Sequence, residues 1–435
     1  MAISGRFVVL CALGAVPIVL FGASAPQAFG LLGLWVLALL LLGIGDLVLA
    51  ASPRNLAVER DLPGRVRLGE SVASRLYLTN TGSRMLRGVV RDAWQPSAGA
   101  GNNRTAVTIP AHERRLVALR LTPFRRGERR ALHVTVRSLG PLGLWARQAT
   151  LTAPGRIRVL PPFTARKHLA SRLTRLKELD GRTSLLVRGQ GTEFDSLREY
   201  VRGDDVRSID WRATARRSDV MVRTWRPERD RRVVIVVDTG RTSAARVDSE
   251  PRLDTAFEAA LLLAALASRA GDRVDFIAWD RRVRGRVHGA KGAELLSRMV
   301  DAMALIEPEL IEVDWSAVPG QVRAVSSQRA LVVLLTSIDT AGASTGLLSV
   351  LPELARRHTV LVASVIDPAL ARAAAERGDR EQVYRAAAAE RALLDVTRVS
   401  AAIRQLGADV VTGSPADLPP ILADRYIALK AAGRL

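Results

Sequence analysis

The stretch "RRVVIVVDTGRTS", residues 231–243, is a run of branched apolar residues that ends in an acid, a turn and two hydroxyls. A strand so uniformly apolar is covered on both faces, as the strands of a parallel sheet are. The pattern then alternates. "DTAFEAALLLAALASRAG" (254–271) predicts a helix, with Thr255 and Glu258 as a capping box and Gly271 as its stop. "DRVDFIAWD" (272–280) reads as a strand, "AELLSRMVDAMALI" (293–306) as a helix and "RALVVLLTSID" (329–339) as a third apolar strand. "TGLLSVLPELARR" (345–357) is a helix and "HTVLVASVID" (358–367) a strand. An Ala-rich helical stretch over 369–406, the strand "GADVVTG" and a last helix at 416–433 complete the series. Strict alternation implies a doubly wound, mostly parallel α/β sheet over residues 232–435.

In such sheets ligands bind at the carboxyl ends of the strands. Those ends carry no phosphate-binding Gly-rich loop with its Lys and Ser/Thr, and no Gly-x-Ser-x-Gly elbow. The five histidines show no paired-ligand spacing. Ordinary enzymes are therefore disfavoured. "VVIVVDTGRTS" does resemble the opening of the metal-ion-dependent adhesion site of the von Willebrand factor A fold, written Asp-x-Ser-x-Ser. Asp238 and Thr242 match its first and last positions, whereas Gly240 replaces the first Ser. The second loop, "HGAKGAE" (288–294), lacks the Thr, and the third strand ends with Ser337 where the acid belongs and Asp339 two residues late. Hard cations need several oxygen ligands. Two readings stay open: Asp238 caps its own loop, or an altered site takes Mg2+ or Mn2+. With either, the loop end at Asp238, Thr239, Arg241, Ser337 and Asp339 is the expected contact surface for a protein partner.

Upstream lies "GTEFDSLREYVRGDDVRSIDWRATARRSDVMVRTW" (191–225), the densest mixture of acids, arginines and tryptophan in the chain. Gly203 supplies a turn, and Asp204 or Asp205 is expected to cap a helix beginning near Val206. Val206, Ile209 and Ala213 share one helical face, with Trp211 and Ala215 opposite. A helix apolar on two sides would be covered on both, with Arg198, Tyr200, Arg207, Asp210 and Arg212 bracing it. Partner docking and carboxylate catalysis by Asp204, Asp205 and Asp210 compete with that bracing role. Carboxylates among so many arginines stay ionised and make poor general acids.

Residues 53–163 have another texture. "SVASRLYLTNTG" (71–82), "RLVALRLTPFRRG" (115–127) and "RALHVTVRSLG" (130–140) are short alternating runs between turn signals, the pattern of a small antiparallel β-sandwich. His112 and His133 lie there without partner ligands. Residues 164–231 form a charged linker that carries the motif.

Residues 1–52 hold two apolar runs, "FVVLCALGAVPIVLFGASA" (7–25) and "FGLLGLWVLALLLLGIGDLVLA" (29–50). Each approaches the ~20 residues a bilayer requires. Arg6 precedes the first, while Arg54, Arg60, Arg65 and Arg67 follow the second. The positive-inside bias then gives a transmembrane helical hairpin in the cell (inner) membrane, with the remainder cytoplasmic. Asp46 falls near the cytosolic end, within reach of headgroups. The competing reading, a signal peptide cut after "ASA", is disfavoured by Pro26.

The chain has 64 Lys+Arg against 43 Asp+Glu, a formal net charge of +21, spread from end to end. No basic element is interleaved with stacking aromatics, which argues against nucleic acid. One cysteine, Cys11, precludes intramolecular disulfides and Cys-based zinc sites.

"LREYVRGDDVRSIDWRATARRSDVMVRTW" followed by "VVIVVDTGRT" resembles the family called domain of unknown function 58. The order of parts also matches: membrane spans, a β-sandwich with a "GPLGLW" element (140–145), the charged motif, then a von Willebrand A-like domain. The resemblance implies a membrane-bound, non-enzymatic protein that works with a MoxR-type AAA+ ATPase as adaptor or substrate. The alternatives are a divalent-metal-dependent adhesion module and, less favoured, a hydrolase.

Overall fold

The computed structural model describes residues 2–186, 193–217, 219–226, 231–248, 250–338 and 341–435. The chain divides into two compact units, residues 1–160 and 161–435. The apolar N-terminus and the first β region thus fall in one unit.

In the first unit, helices Gly5–Leu13 and Ala15–Phe21 are followed by Ala25–Leu49. The last is long and apolar enough to cross a membrane, with a mean hydropathy of 2.4 for the apolar span; the segment Gly5–Phe21 is shorter. Gly14 lies against the Trp35 ring, where an added Cβ would come within 2.2 Å, and the Trp35 indole N–H donates to the Leu10 carbonyl at 3.2 Å. A close helix–helix approach therefore requires glycine at that position.

Two sheets follow. In the larger, Ala2–Ile3, Trp145–Leu160, Gly127–Leu139, Leu86–Trp94 and Arg104–Ile109 lie side by side in that order, all antiparallel, and Arg65–Arg67 pairs parallel with Trp145–Leu160. The smaller comprises Leu56–Asp61, Val72–Asn80 and Arg114–Leu121. Leu76, Leu78 and Val117 of the smaller sheet share one core with Leu86, Val90, Ile109, Val134 and Val136 of the larger. That shared core is why alternation is so clean along Val72–Asn80. It also contains a charge: Arg60 grips Asp92 through both terminal nitrogens at 2.9 and 2.8 Å, and the Trp94 indole donates to the same carboxylate. A buried pair is tolerated because its remaining hydrogen-bonding capacity is used.

Asp46 does not reach headgroups, as its position suggests, but is 1% exposed. Its carboxylate accepts the backbone N–H groups of Leu142 at 2.7 Å, Leu144 at 2.7 Å and Trp145 at 3.0 Å. "GPLGLW" is thus a nest of backbone donors wrapped around an anion. Both partners are small where they touch. A Cβ on Gly140 would meet the Asp46 carboxylate at 2.2 Å, and one on Gly43 would meet the Trp145 ring at 2.5 Å. Arg147 and Arg84 add hydrogen bonds to the carbonyls of Leu47 and Val48 at the helix end.

In the second unit, a six-stranded sheet has the order Val283–Val287, Arg273–Trp279, Arg232–Asp238, Ala330–Leu335, Thr359–Val365, Asp409–Gly413. All neighbours are parallel except the edge strand Val283–Val287. The sequence pattern did not single out that edge strand, whose arginines lack the apolar signature. Val234, Val236, Val332, Leu334, Val360 and Val362 pack in one cluster with residues of helices Val318–Val325, Ala341–Arg357 and Arg380–Gln405. Val233, Ile235, Val237, Leu331, Val333 and Leu335 point the other way and are equally buried. The central strand is therefore covered on both faces, which explains its composition.

Helix Arg252–Arg269 starts earlier than the sequence suggests, and no capping box forms. The Thr255 hydroxyl donates to Glu250 at 2.9 Å, and buried Glu258 instead accepts the backbone N–H and hydroxyl of Thr164 at 2.6 and 2.8 Å. Gly271 does end the helix, at φ +81°. The expected long helix over 369–406 is two helices, Pro368–Ala375 and Arg380–Gln405. The final helix, Leu418–Ala431, is tied down by Tyr426 and Lys430, which hydrogen-bond Asp272 at 2.5 and 2.7 Å.

Replacing Asp46 by Leu leaves three N–H groups without their acceptor, and the buried one, of Leu144, costs roughly 1–3 kcal/mol. The thermal unfolding midpoint of the detergent-solubilised chain should fall, and protease should gain access to residues 140–145. Asp46→Asn, which keeps one acceptor oxygen, should lose less.

Candidate functional site

Strand Arg232–Asp238 delivers Asp238 to the carboxyl edge of the sheet, where it is 2% exposed. Three of its roughly four acceptor directions are taken. One carboxylate oxygen accepts the Gly240 N–H at 2.7 Å; the other accepts the hydroxyls of Thr336 at 2.6 Å and Thr242 at 3.1 Å. The Ser243 hydroxyl donates to the Asp238 carbonyl at 2.7 Å. Burial pushes the Asp238 carboxyl above its usual range, and the bonds from Thr336, Gly240, Thr242 and Ser243 offset that only in part.

The turn above it is sealed by residues 305–314. The Ile311 carbonyl accepts the Arg241 N–H at 2.8 Å, and Glu309 donates its N–H to the Thr239 carbonyl at 2.8 Å. A Cβ on Gly240 would sit 2.7 Å from the Val313 side chain and 2.8 Å from the Ile311 carbonyl. Gly240 has an ordinary extended backbone, so space and not φ selects glycine here. The seryl oxygen that a metal site would place at 240 has no room.

Asp280, at the end of the neighbouring strand, is fully buried and accepts from Thr239 at 3.1 Å, Arg284 at 3.0 Å and the N–H groups of Arg281 and Arg282. Burial raises its pKa, but the donors outweigh burial and hold the carboxyl below the usual range. Arg284 passes on to Glu309 at 2.6 Å, which fixes the base of the covering segment. Sequence reasoning missed Thr336, Asp280, Arg284 and Glu309. The first was legible as the hydroxyl next to Ser337, but the covering segment 305–314 carries no periodic signal.

The expected contact residues separate. Thr239 is wholly buried, and Ser337 faces Arg252, which donates to it at 2.7 Å. Asp339 lies outside the described residues. Arg241 is exposed and paired with Glu312 at 2.9 Å. Between Ser243, Arg252, Ala256, Thr336 and Ser337 there is room for about one water molecule, far below the size of an organic ligand. Among the described residues no three His, Cys, Asp or Glu side chains converge as a metal site.

The charged motif folds as a hairpin of Glu193–Glu199 and Met221–Arg226, with Leu197 opposite Arg223 and Glu199 opposite Met221. Asp204, Asp205 and Asp210 are used internally. Arg198 holds Asp204 through two bonds of 2.7 and 2.6 Å, closing the turn at Gly203, whose φ is +111°. Asp205 caps only a single turn, Val206–Ser208, through the Arg207 N–H. Asp210 is the true cap: it accepts the N–H groups of Arg212 and Ala213 at 3.0 Å as helix Trp211–Arg217 begins, and binds Arg223 at 2.8 Å. Those bonds, the Ala213 N–H first and Arg223 next, hold the Asp210 carboxyl below the usual range. The Tyr200 N–H donates to the Val220 carbonyl at 2.7 Å. The expected wedge, apolar and covered on both sides, is not what forms, for Val206 is 65% and Trp211 70% exposed. Aspartate capping at 210 delays the helix by five residues and turns both side chains outward.

The geometry defines a mostly parallel sheet with a filled strand end, preceded by an arginine–aspartate hairpin. Residues 196–405 match the family model described as protein of unknown function DUF58. Uncharacterised proteins of Mycobacterium tuberculosis and Mycobacterium bovis are 28% identical to it over 185 residues, 42% of this chain and 57% of theirs. The chain thus spans little more than half the length of these curated relatives. Among solved structures, the CARDB domain of a Pyrococcus furiosus protein, in complex with di-metal ions, resembles 26% of this chain and 91% of its own at 15% identity and a TM-score of 0.19. A complex of zinc 2-glycoprotein and prolactin inducible protein from human seminal plasma resembles 23% of this chain, and 92% of the matched chain, at 12% identity and a TM-score of 0.20.

A carboxyl whose pKa rises on folding stabilises the fold below the ordinary aspartate range, and that contribution is lost as pH climbs through the folded value. Asp238→Asn, neutral throughout, should therefore gain on the wild type in unfolding midpoint as pH rises from about 4 towards 8. A gap that stays constant, or widens the other way, would contradict the buried, charge-averse setting of Asp238.

Proposed function

We propose that this protein is a membrane-anchored, non-enzymatic scaffold that presents its C-terminal domain to a protein partner, a MoxR-type AAA+ ATPase. In this reading the N-terminal helices form a two-span hairpin with both ends cytoplasmic. Residues 53–163 are a β-sandwich domain, and the sheet of residues 232–435 is a von Willebrand A-like domain. What supports the reading is the closed end of the central strand. The place where such sheets hold their ligands is filled by the protein's own Thr336, Thr242 and Gly240 N–H. A sealed strand end leaves its rim as the recognition surface. That rim offers the exposed Arg241 and Glu312 pair and, on the covering segment, Leu310 at 76% exposure. An apolar residue flanked by charges of both signs suits a protein contact better than a small ligand.

The buried Asp238 and Thr239 then act from beneath, by shaping the turn that carries Arg241. The rival reading as a divalent-metal adhesion module needs the covering segment to leave and Gly240 to be supplemented by ligands from elsewhere. The hydrolase reading needs Asp204, Asp205 and Asp210 free to exchange protons, whereas each is committed to a cap or an arginine.

The reading is tested by co-purification in detergent with a co-expressed MoxR-type AAA+ ATPase. Reversing the rim with Leu310→Asp and Arg241→Glu together should weaken recovery of the ATPase about tenfold, ~1.4 kcal/mol, with the unfolding midpoint nearly unchanged. Equal recovery from both proteins would contradict the rim as the contact surface. Replacing Asp204, Asp205 and Asp210 with Asn should lower stability of the hairpin, not a chemical rate.

A further inference from the structure

The charged motif leaves one feature that neither the fold nor the proposed partner uses. Three dipeptides repeat at intervals of five residues: Val201-Arg202, Val206-Arg207 and Trp211-Arg212. All six residues are exposed, the apolar three at 62%, 65% and 70%. The local architecture produces this. Val201 opens the turn closed by Arg198 and Asp204, Val206 follows the capping Asp205, and Trp211 follows the capping Asp210. Asp205 and Asp210 each hold the backbone just after them and leave the next pair of side chains to solvent, and Asp204 holds the Val201 N–H of the pair before it. Tyr200 and Val220, joined through their backbones, enlarge the apolar set at 36% and 40% exposure, and Arg216 follows on the exposed side of the helix.

Charge decides what can cover such a surface. Over residues 196–226 there are eight arginines and five acids. Asp204 and Asp210 are neutralised by Arg198 and Arg223. Among the described residues no carboxylate is paired with Arg202, Arg207, Arg212, Arg216 or Arg217. Exposed Trp and Val beside unmatched arginines fit the boundary of an anionic bilayer. The indole ring suits the headgroup level, the aliphatic side chains enter the acyl boundary, and guanidinium groups meet phosphate.

We propose that residues 200–220 dock on an anionic phospholipid surface as an interfacial element. The proposal rests on the reading of this chain as membrane-anchored, which keeps a bilayer at hand at high local concentration. The residues involved differ from the Arg241 rim, so membrane docking and partner binding are separable.

The test reconstitutes the full chain, with Cys11→Ser and Val206→Cys, in vesicles of phosphatidylcholine alone or with one third phosphatidylglycerol. An environment-sensitive fluorophore is attached at 206, and at Tyr384→Cys as an exposed control. Co-flotation with the vesicles reports the anchor independently. Docking should give a blue shift and several-fold stronger quenching by headgroup-depth nitroxide lipids at 206 than at 384. That difference should appear in phosphatidylglycerol vesicles, fade at high salt, and vanish when Arg202, Arg207 and Arg212 are changed to Gln. Because salt acts on the unaltered arginines, a misfolded variant cannot mask the outcome. Chain that floats with the vesicles yet shows equal quenching at 206 and 384 in both lipids would overturn the proposal. Quenching that appears in neither lipid, with a blue shift only on adding the partner ATPase, would overturn it in favour of a protein surface.

Discussion

The carboxyl group of Asp238 is where the second unit's architecture converges. A parallel sheet aims its central strand at a point where several chain segments must meet, and a buried carboxylate there demands donors from all of them. Thr336 comes from the next strand, Thr242 and Gly240 from the turn, and the segment over residues 305–314 closes the top. Removing any of them takes a donor from a carboxylate that is 2% exposed. Asp280, one strand across, repeats the arrangement with Arg284 and links it to Glu309. The result is a rigid, filled edge with surface chemistry only at its rim.

The first unit solves a related problem. Asp46 sits at the end of an apolar helix, where an unpaired carboxylate would be costly, and the backbone of "GPLGLW" supplies three donors. Because the donors are backbone groups on a loop between two strands of the larger sheet, the helix end and that sheet are fixed together. Under the proposed function this matters mechanically. Force applied to the sheet would reach the anchor through a latch instead of a swivel. The glycines at 43 and 140 are part of that latch, since any side chain there would separate the two surfaces.

Regular elements were legible in the sequence, and the reason is burial on both faces. Val233 to Val237, Leu331 to Leu335 and Thr359 to Val365 read as strands because every position meets core. The edge strand Val283–Val287 was not legible, since one of its sides is wet and its residues are mostly arginine and glycine. Capping was read less well. Asp205 and Asp210 are five residues apart and both cap, but only Asp210 also pairs with Arg223, a partner 13 residues on that spacing does not reveal. Of the strand-end site, Asp238 and Thr242 were legible from spacing and Thr336 only as the neighbour of Ser337, whereas the cover was not. Long-range partners without periodicity leave no local trace. Glu258 misled for the same reason: its spacing from Thr255 matched a capping box, but its acceptor capacity is claimed by Thr164, 94 residues away.

The closed strand end separates a scaffold from a metal-dependent binder. Titration calorimetry of the full chain in detergent with Mg2+ and with Mn2+ at neutral pH addresses it directly. With Gly240 barred from carrying a ligand and Asp238 buried and holding three donors, no saturable binding is expected for either cation. One-to-one binding that disappears in Asp238→Asn would contradict the account.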